Sequence, residues 1–154
     1  LNLKSPVGVV TNTTAISNVK LYTDGGSRGN PGPSALGYVI YDNNDIVIKD
    51  GSKYLGITTN NQAEYQAVKT GLEACKLLGA SRVDVFLDSQ LVANQLNGIY
   101  KIKNRDLWPI HTAIIAIKKE FTKGVSFTYI PRELNKAADA KVNEELDKAT
   151  STDT

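Results

Sequence analysis

The sequence predicts an α/β fold: a mixed five-stranded sheet, three antiparallel strands and then two parallel ones, with helices on both faces. Three observations carry this. Three strand-like segments come first, with no helix between them and a turn cluster joining the second to the third. From residue 60 onward, helical segments alternate with strands, the pattern of parallel strands joined by crossovers. The chain has 154 residues, 41% hydrophobic and 22% charged, which suits one domain with a core of its own.

Residues 1–17 are rich in Thr, Asn and Ser, have no sustained period and read as a tail or linker. Residues 18–150 read as the domain and 151–154 as a C-terminal tail. Lys20–Thr23 forms the first strand, which Asp24 closes. Residues 23–37, TDGGSRGNPGPSALG, hold five glycines and two prolines and read as a loop. Leu36–Tyr41 is the second strand. Asp42–Asp45 is a turn cluster, and Ile46–Ile48 opens the third strand.

Asn60 reads as the cap of a helix whose apolar face carries Ala63, Ala67, Leu72, Ala74, Cys75 and Leu78; Gly79 stops it. Arg82–Leu87 is a β-branched strand, and a short helix follows from Ser89 to about Leu96. A further helix runs from about Leu107 to Phe121. Val125–Ile130 is the last strand, and Asn135 caps a final helix with Ala138, Val142, Leu146 and Ala149 on one side.

The net charge of +2 is too small to argue for nucleic acid by itself. One cysteine excludes an internal disulfide and points to a reducing, cytoplasmic setting; Cys75 itself reads as core. No apolar stretch reaches the ~18 residues of a membrane span, and no signal peptide is evident.

Four acids occupy one type of position. Asp24 and Asp88 end strands; Glu64 and Asp139 lie in the first turns of helices. Singly, each has a structural account as a cap or a partner of a helix dipole. Together, at one sheet edge, they would repel one another unless cations sat between them. Oxygen ligands with no neighbouring His or Cys suit Mg²⁺ or Mn²⁺. Two such ions form the clamp of phosphodiester cleavage.

The segments YTDGGSRGNPGPSALGYVIYD, TTNNQAEYQAV, FLDSQLVANQL and IPRELNKAADAKVNEELD resemble, in order, the four signature segments of ribonuclease H type 1. The resemblance implies an RNase H-like sheet and metal-dependent, endonucleolytic cleavage of the RNA strand of RNA–DNA hybrids. It places Asp24, Glu64, Asp88 and Asp139 on the catalytic, metal-binding acids, with two Mg²⁺ ions and Mn²⁺ as a substitute. It implies that Gly25 and Gly26 let backbone amides approach the nucleic acid. Asn30, Asn60, Asn61 and Gln90 would read the minor groove and its 2′-hydroxyls. Thr59 and Asn104 would hold a DNA phosphate.

The sequence departs from the family pattern in three places. The loop before the last helix has no histidine; Arg132 or Glu133 there could partly substitute for it, beside the plainer reading of both as solvated loop charges. His111 reads as structural. Residues 97–106 are too short for the basic helical protrusion of many relatives, so weaker and more salt-sensitive hybrid binding is expected; Trp108 reads as packed on its helix. Ile57 stands where some relatives carry an arginine. A non-catalytic hybrid- or double-stranded-RNA-binding module is the alternative. An RNase H domain of a reverse-transcriptase polyprotein is another, since the chain begins at Leu1 and has no methionine. A monomer with no obligate protein partner and no membrane is expected.

Overall fold

The computed structural model describes residues 17–151; the expected tails at 1–16 and 152–154 lie outside the described residues. Five strands form one sheet in the order β3-β2-β1-β4-β5. They are β1 (Asn18–Ser27), β2 (Gly32–Tyr41), β3 (Val47–Thr58), β4 (Arg82–Leu87) and β5 (Val125–Tyr129). The first three pair antiparallel, and β1–β4 and β4–β5 pair parallel, as the sequence predicts. The helices are α1 (Asn60–Leu77), α2 (Gln90–Leu96), α3 (Trp108–Lys118) and α4 (Lys136–Ser151). Single 3₁₀ turns at Arg105–Leu107 and Arg132–Leu134 precede the last two. No helix among the described residues is long and apolar enough to cross a membrane.

Alternation along the strands splits the core in two. One face of the sheet carries Leu21, Leu36, Ile40, Val83, Val85 and Leu87 into the main core with Tyr65, Leu72, Val92 and Ile114 from α1, α2 and α3. On the other face, Ala35 packs with Val142 and Leu146 of α4. Cys75 is buried in the main core, where desolvation pushes its thiol up to about 12.

The structure corrects the reading of the glycine-rich stretch. β1 does not end at Asp24. It continues through Gly25 and Gly26 to Ser27, paired with β2 throughout. Only its pairing with β4 stops, at Thr23 opposite Leu87. Asp24 and Asp88 therefore both follow a paired couple, at the point where β1 faces an antiparallel neighbour on one side and a parallel one on the other. Such switch points leave a crevice at the strand ends.

Two glycines beside Asp24 let helices close on this crevice. A Cβ on Gly25 would stand 2.2 Å from the Ala63 backbone carbonyl of α1. A Cβ on Gly37, which lies opposite Asp24 in the ladder, would stand 2.6 Å from Lys141 Cβ and 2.7 Å from the Ala138 carbonyl oxygen of α4. Both contacts are far inside normal packing distance. Gly25 thus admits the helix turn that carries Glu64, and Gly37 admits the one that carries Asp139.

Candidate active site

Asp24, Glu64 and Asp88 converge: one carboxylate oxygen from each lies within 4.8 Å of the other two. Asp139 lines the same cavity of about 290 Å³. Asp24 and Glu64 are only 7% and 8% exposed. At an effective dielectric of ~20, each charged pair at that spacing repels by about 3 kcal/mol. Burial pushes the Asp24 carboxyl up to about 8, and the Asp88 charge and the neighbouring Asp139 carboxyl add to the rise. Burial also lifts Glu64 well above the usual carboxylate range, reinforced by the charges of Asp24 and Asp88. The Gly25 N–H, donating to Glu64 Oε1 at 3.2 Å, and the charge of Arg132 oppose that rise.

Such a cluster fits a hard divalent cation. All its donors are carboxylate oxygens, and no His or Cys belongs to the group. A cation would offset the burial and the neighbouring negative charges that raise Asp24 and Glu64.

The end of β1 and the loop that follows it are knitted to α1 through asparagines. Asn60 Oδ1 accepts from the Ser27 N–H at 2.8 Å, and the Asn60 N–H donates to Asn30 Oδ1 at 3.0 Å. The oxygens of both side chains are thus used internally, while their Nδ2 groups make no hydrogen bond among the described residues. Asn60 is not the cap of α1. Thr59 is, accepting from the Gln62 N–H at 3.2 Å. Threonine with extended backbone suits that position, and Asn60 already has helical hydrogen bonding and a partner in the loop.

Gly25, Gly26, Asn60 and Asn61 line the cavity with the acids. Gln90 does not; it is the exposed first residue of α2, behind the cap Ser89. Ser89, not Asp88, accepts from the Val92 N–H, so Asp88 is left without capping duty. Asn104 lies with Asn61, Tyr100 and Lys103 along a neighbouring groove. It accepts from the Asp106 N–H at 2.9 Å, and Gln62 Nε2 donates to the Asp106 carbonyl at 3.0 Å, which ties this segment to the start of α1 near Thr59. Ile57 is 68% exposed on β3. Trp108 packs over its own loop, donating from Nε1 to the Ile102 carbonyl at 3.0 Å with Arg105 over its ring. His111 sits edge-on to Tyr65.

One residue gains a place that its sequence context did not suggest. Asn135 precedes α4, as expected of a cap, but its side chain turns inward. Its Nδ2 donates to the Thr23 carbonyl at 2.8 Å and to Asp88 Oδ2 at 3.0 Å. Arg132 is exposed and also lines the acidic cavity. Asn143 Nδ2 also donates to Asp139 Oδ2, at 3.3 Å, a helical i+4 relation legible in the sequence.

A family model described as Reverse transcriptase-like matches residues 22–145, most of the chain. A relative named Ribonuclease HI from Halobacterium salinarum is 40% identical over 131 residues, covering 85% of this chain and 65% of the relative. The chain belongs to the ribonuclease H type 1 family. A bifunctional protein of Mycobacterium tuberculosis is 36% identical over 132 residues, which cover 85% of this chain and 36% of the relative. The chain thus spans about a third of the length of that relative. Among solved structures, LC11-RNase H1 in complex with RNA/DNA hybrid is similar at a TM-score of 0.82 and 42% identity, over 86% of this chain and 99% of that one.

Proposed function

We propose that this chain is a divalent-metal-dependent endoribonuclease that hydrolyses the RNA strand of RNA–DNA hybrids, leaving 5′-phosphates. The observation that carries the reading is the convergence of Asp24, Glu64 and Asp88 within 4.8 Å in a cavity also lined by Asp139. The likeness to an RNase H1 solved with RNA/DNA hybrid supports the substrate class. Asp24, Glu64, Asp88 and Asp139 would hold two Mg²⁺ ions, with Mn²⁺ as a substitute. Bound there, such ions activate a water and stabilise the leaving oxygen.

The chain's own residues prepare that site. Asn135 holds Asp88 from behind, and the Gly25 N–H orients Glu64. Partners of this kind fix a ligand's rotamer before any cation arrives. The amides of Asn30 and Asn60 would donate in the minor groove, where a donor to a 2′-hydroxyl oxygen distinguishes ribose from deoxyribose. Gly26 and Asn61 border the RNA strand, and Gln90 reaches it from the start of α2. Thr59 and Asn104 flank the DNA strand's phosphate.

The test is a gel assay on uniformly labelled hybrid with Mg²⁺, Mn²⁺ or chelator, beside single-stranded and double-stranded RNA. Metal-dependent cleavage of hybrid RNA is expected, and Asp24→Asn and Asp88→Asn should each abolish it while leaving the fold intact. Hybrid binding without product under either metal would turn the reading into that of a binding module.

A further inference from the structure

Tyr65 follows Glu64 in α1, and its ring is fully buried in the main core. Its hydroxyl donates to Oε1 of Gln95, in the last turn of α2, at 2.6 Å. Burial pushes that hydroxyl up to about 12, so it keeps its proton at any working pH. Gln95 is itself buried, and its Nε2 donates to the Lys101 carbonyl at 3.4 Å. A carbonyl only accepts, so Nε2 must face Lys101 and the amide oxygen is left for the tyrosine. The Asn94 carbonyl takes the Ile99 and Tyr100 N–H groups at 2.8 and 3.1 Å, and Trp108 Nε1 holds the Ile102 carbonyl. Residues 97–104 belong to no helix or strand, so these bonds are what fix the path of their backbone. Lys101, Lys103 and Asn104 line a groove of about 570 Å³ together with Asn61, which also lines the cavity of the four acids.

We propose that Gln95 is a positioning residue for hybrid binding: held by Tyr65, it fixes the backbone of residues 99–104 so that Lys101 and Lys103 leave it at set points along the groove, ready for phosphates of the hybrid; this rests on the reading of the substrate given above. The two lysine side chains are exposed and reach solvent; what the pair sets is where their backbone stands. A segment ordered in advance spares the complex the cost of ordering it on binding. The effect falls on KM and not on kcat, since neither Tyr65 nor Gln95 lines the cavity of the four acids. Residues 97–106 are too short for a helical protrusion, and here a buried amide does the ordering that a helix would do.

The experiment measures steady-state cleavage, hybrid Kd in chelator and melting temperature for wild type, Gln95→Met and the double variant Tyr65→Phe/Gln95→Met. Gln95→Met strands the buried Tyr65 hydroxyl, so it should lower the melting temperature and raise KM about 10-fold with kcat within about twofold. The double variant removes the stranded hydroxyl as well. Its melting temperature should return toward wild type, because apolar groups of like shape replace both partners. Its KM and Kd should stay about 10-fold high, because the Lys101 carbonyl still lacks its donor. Lys101→Ala/Lys103→Ala should weaken binding about 10-fold in wild type but only about twofold in the double variant, since both changes act through one segment. A double variant that regains the wild-type KM along with its melting temperature would overturn the proposal, leaving the pair as core packing alone. So would lysine and core effects that simply multiply. The binding arm needs no metal. Wild type that binds hybrid in chelator but cuts nothing with Mg²⁺ or Mn²⁺ would overturn the hydrolytic reading, while the Kd comparison still decides the role of Gln95.

Discussion

Asn135 holds Asp88: its side-chain amide donates to the carboxylate at 3.0 Å while also donating to the Thr23 carbonyl at 2.8 Å. One buried side chain thus joins Thr23 of β1, the residue after β4 and the start of α4. Asn135→Ala should leave Asp88 free to rotate and should lower kcat/KM by about 10–100-fold. Losing a buried hydrogen bond to a charged group should also cost about 1.5–3 kcal/mol of stability. Mg²⁺ titration of cleavage and urea unfolding would measure the two effects separately. Unchanged Mg²⁺ dependence would show that Asp88 needs no such support.

Gly25 and Gly26 are neighbours with opposite expectations. A Cβ on Gly25 meets the backbone of Ala63 at 2.2 Å, which no side-chain rotation relieves. Gly25→Ala should push α1 off β1, cost about 1–3 kcal/mol or more, and separate Glu64 from Asp24. A Cβ on Gly26 meets Val142 Cγ1 at 3.6 Å, an ordinary contact. Gly26→Ala should therefore fold with a melting temperature close to wild type. Calorimetry on both variants checks this; equal melting temperatures would contradict the close approach.

The raised Asp24 carboxyl makes the metal-free protein less stable as pH rises. An unfolded Asp ionises near 4, whereas the folded one holds its proton to about 8. Between those values the native state binds more protons than the unfolded state, so unfolding becomes easier with increasing pH. The stabilisation is full below about pH 4 and lost as pH climbs through about 8. Thermal melts in chelator should show a falling melting temperature from pH 5 to 8. Mg²⁺ should restore it at pH 8, and Asp24→Asn should flatten the slope.

Asn60 has one end committed to the fold and one end free. Asn60→Asp keeps an acceptor for the Ser27 N–H but loses the side-chain donor of a residue that lines the cavity. It should fold normally and raise KM for hybrid by about 2–10-fold, the loss of one hydrogen bond plus the repulsion of phosphate. Asn60→Ala should add a loss of stability because the Ser27 N–H then has no side-chain partner. Steady-state kinetics beside melting temperatures separate the two roles.

Much of this protein is determined by its local sequence. The three early strands, the alternation after residue 60, β4 at Arg82–Leu87 and the apolar face of α1 follow from periodicity, which reports what one chain segment must bury. The four acids stand out because each reads, in the sequence, as falling at a strand end or a helix start. What tertiary structure alone decided is how the segments meet. β1 runs past Asp24 because β2 continues to pair with it, a partnership no local signal reveals. Thr59 and Ser89 took the caps, which freed Asn60 for the loop and Asp88 for the cavity. Asn135 stands at the start of α4, its carbonyl accepting from the Asp139 N–H, but its side-chain amide donates to two partners that lie 112 and 47 residues away in the chain. Gly25 is required by a helix backbone at Ala63, not by a bend of its own. Hydrogen-bond choice and backbone proximity are settled between segments distant in sequence, so the residue types were legible and their assignments had to wait for the packing.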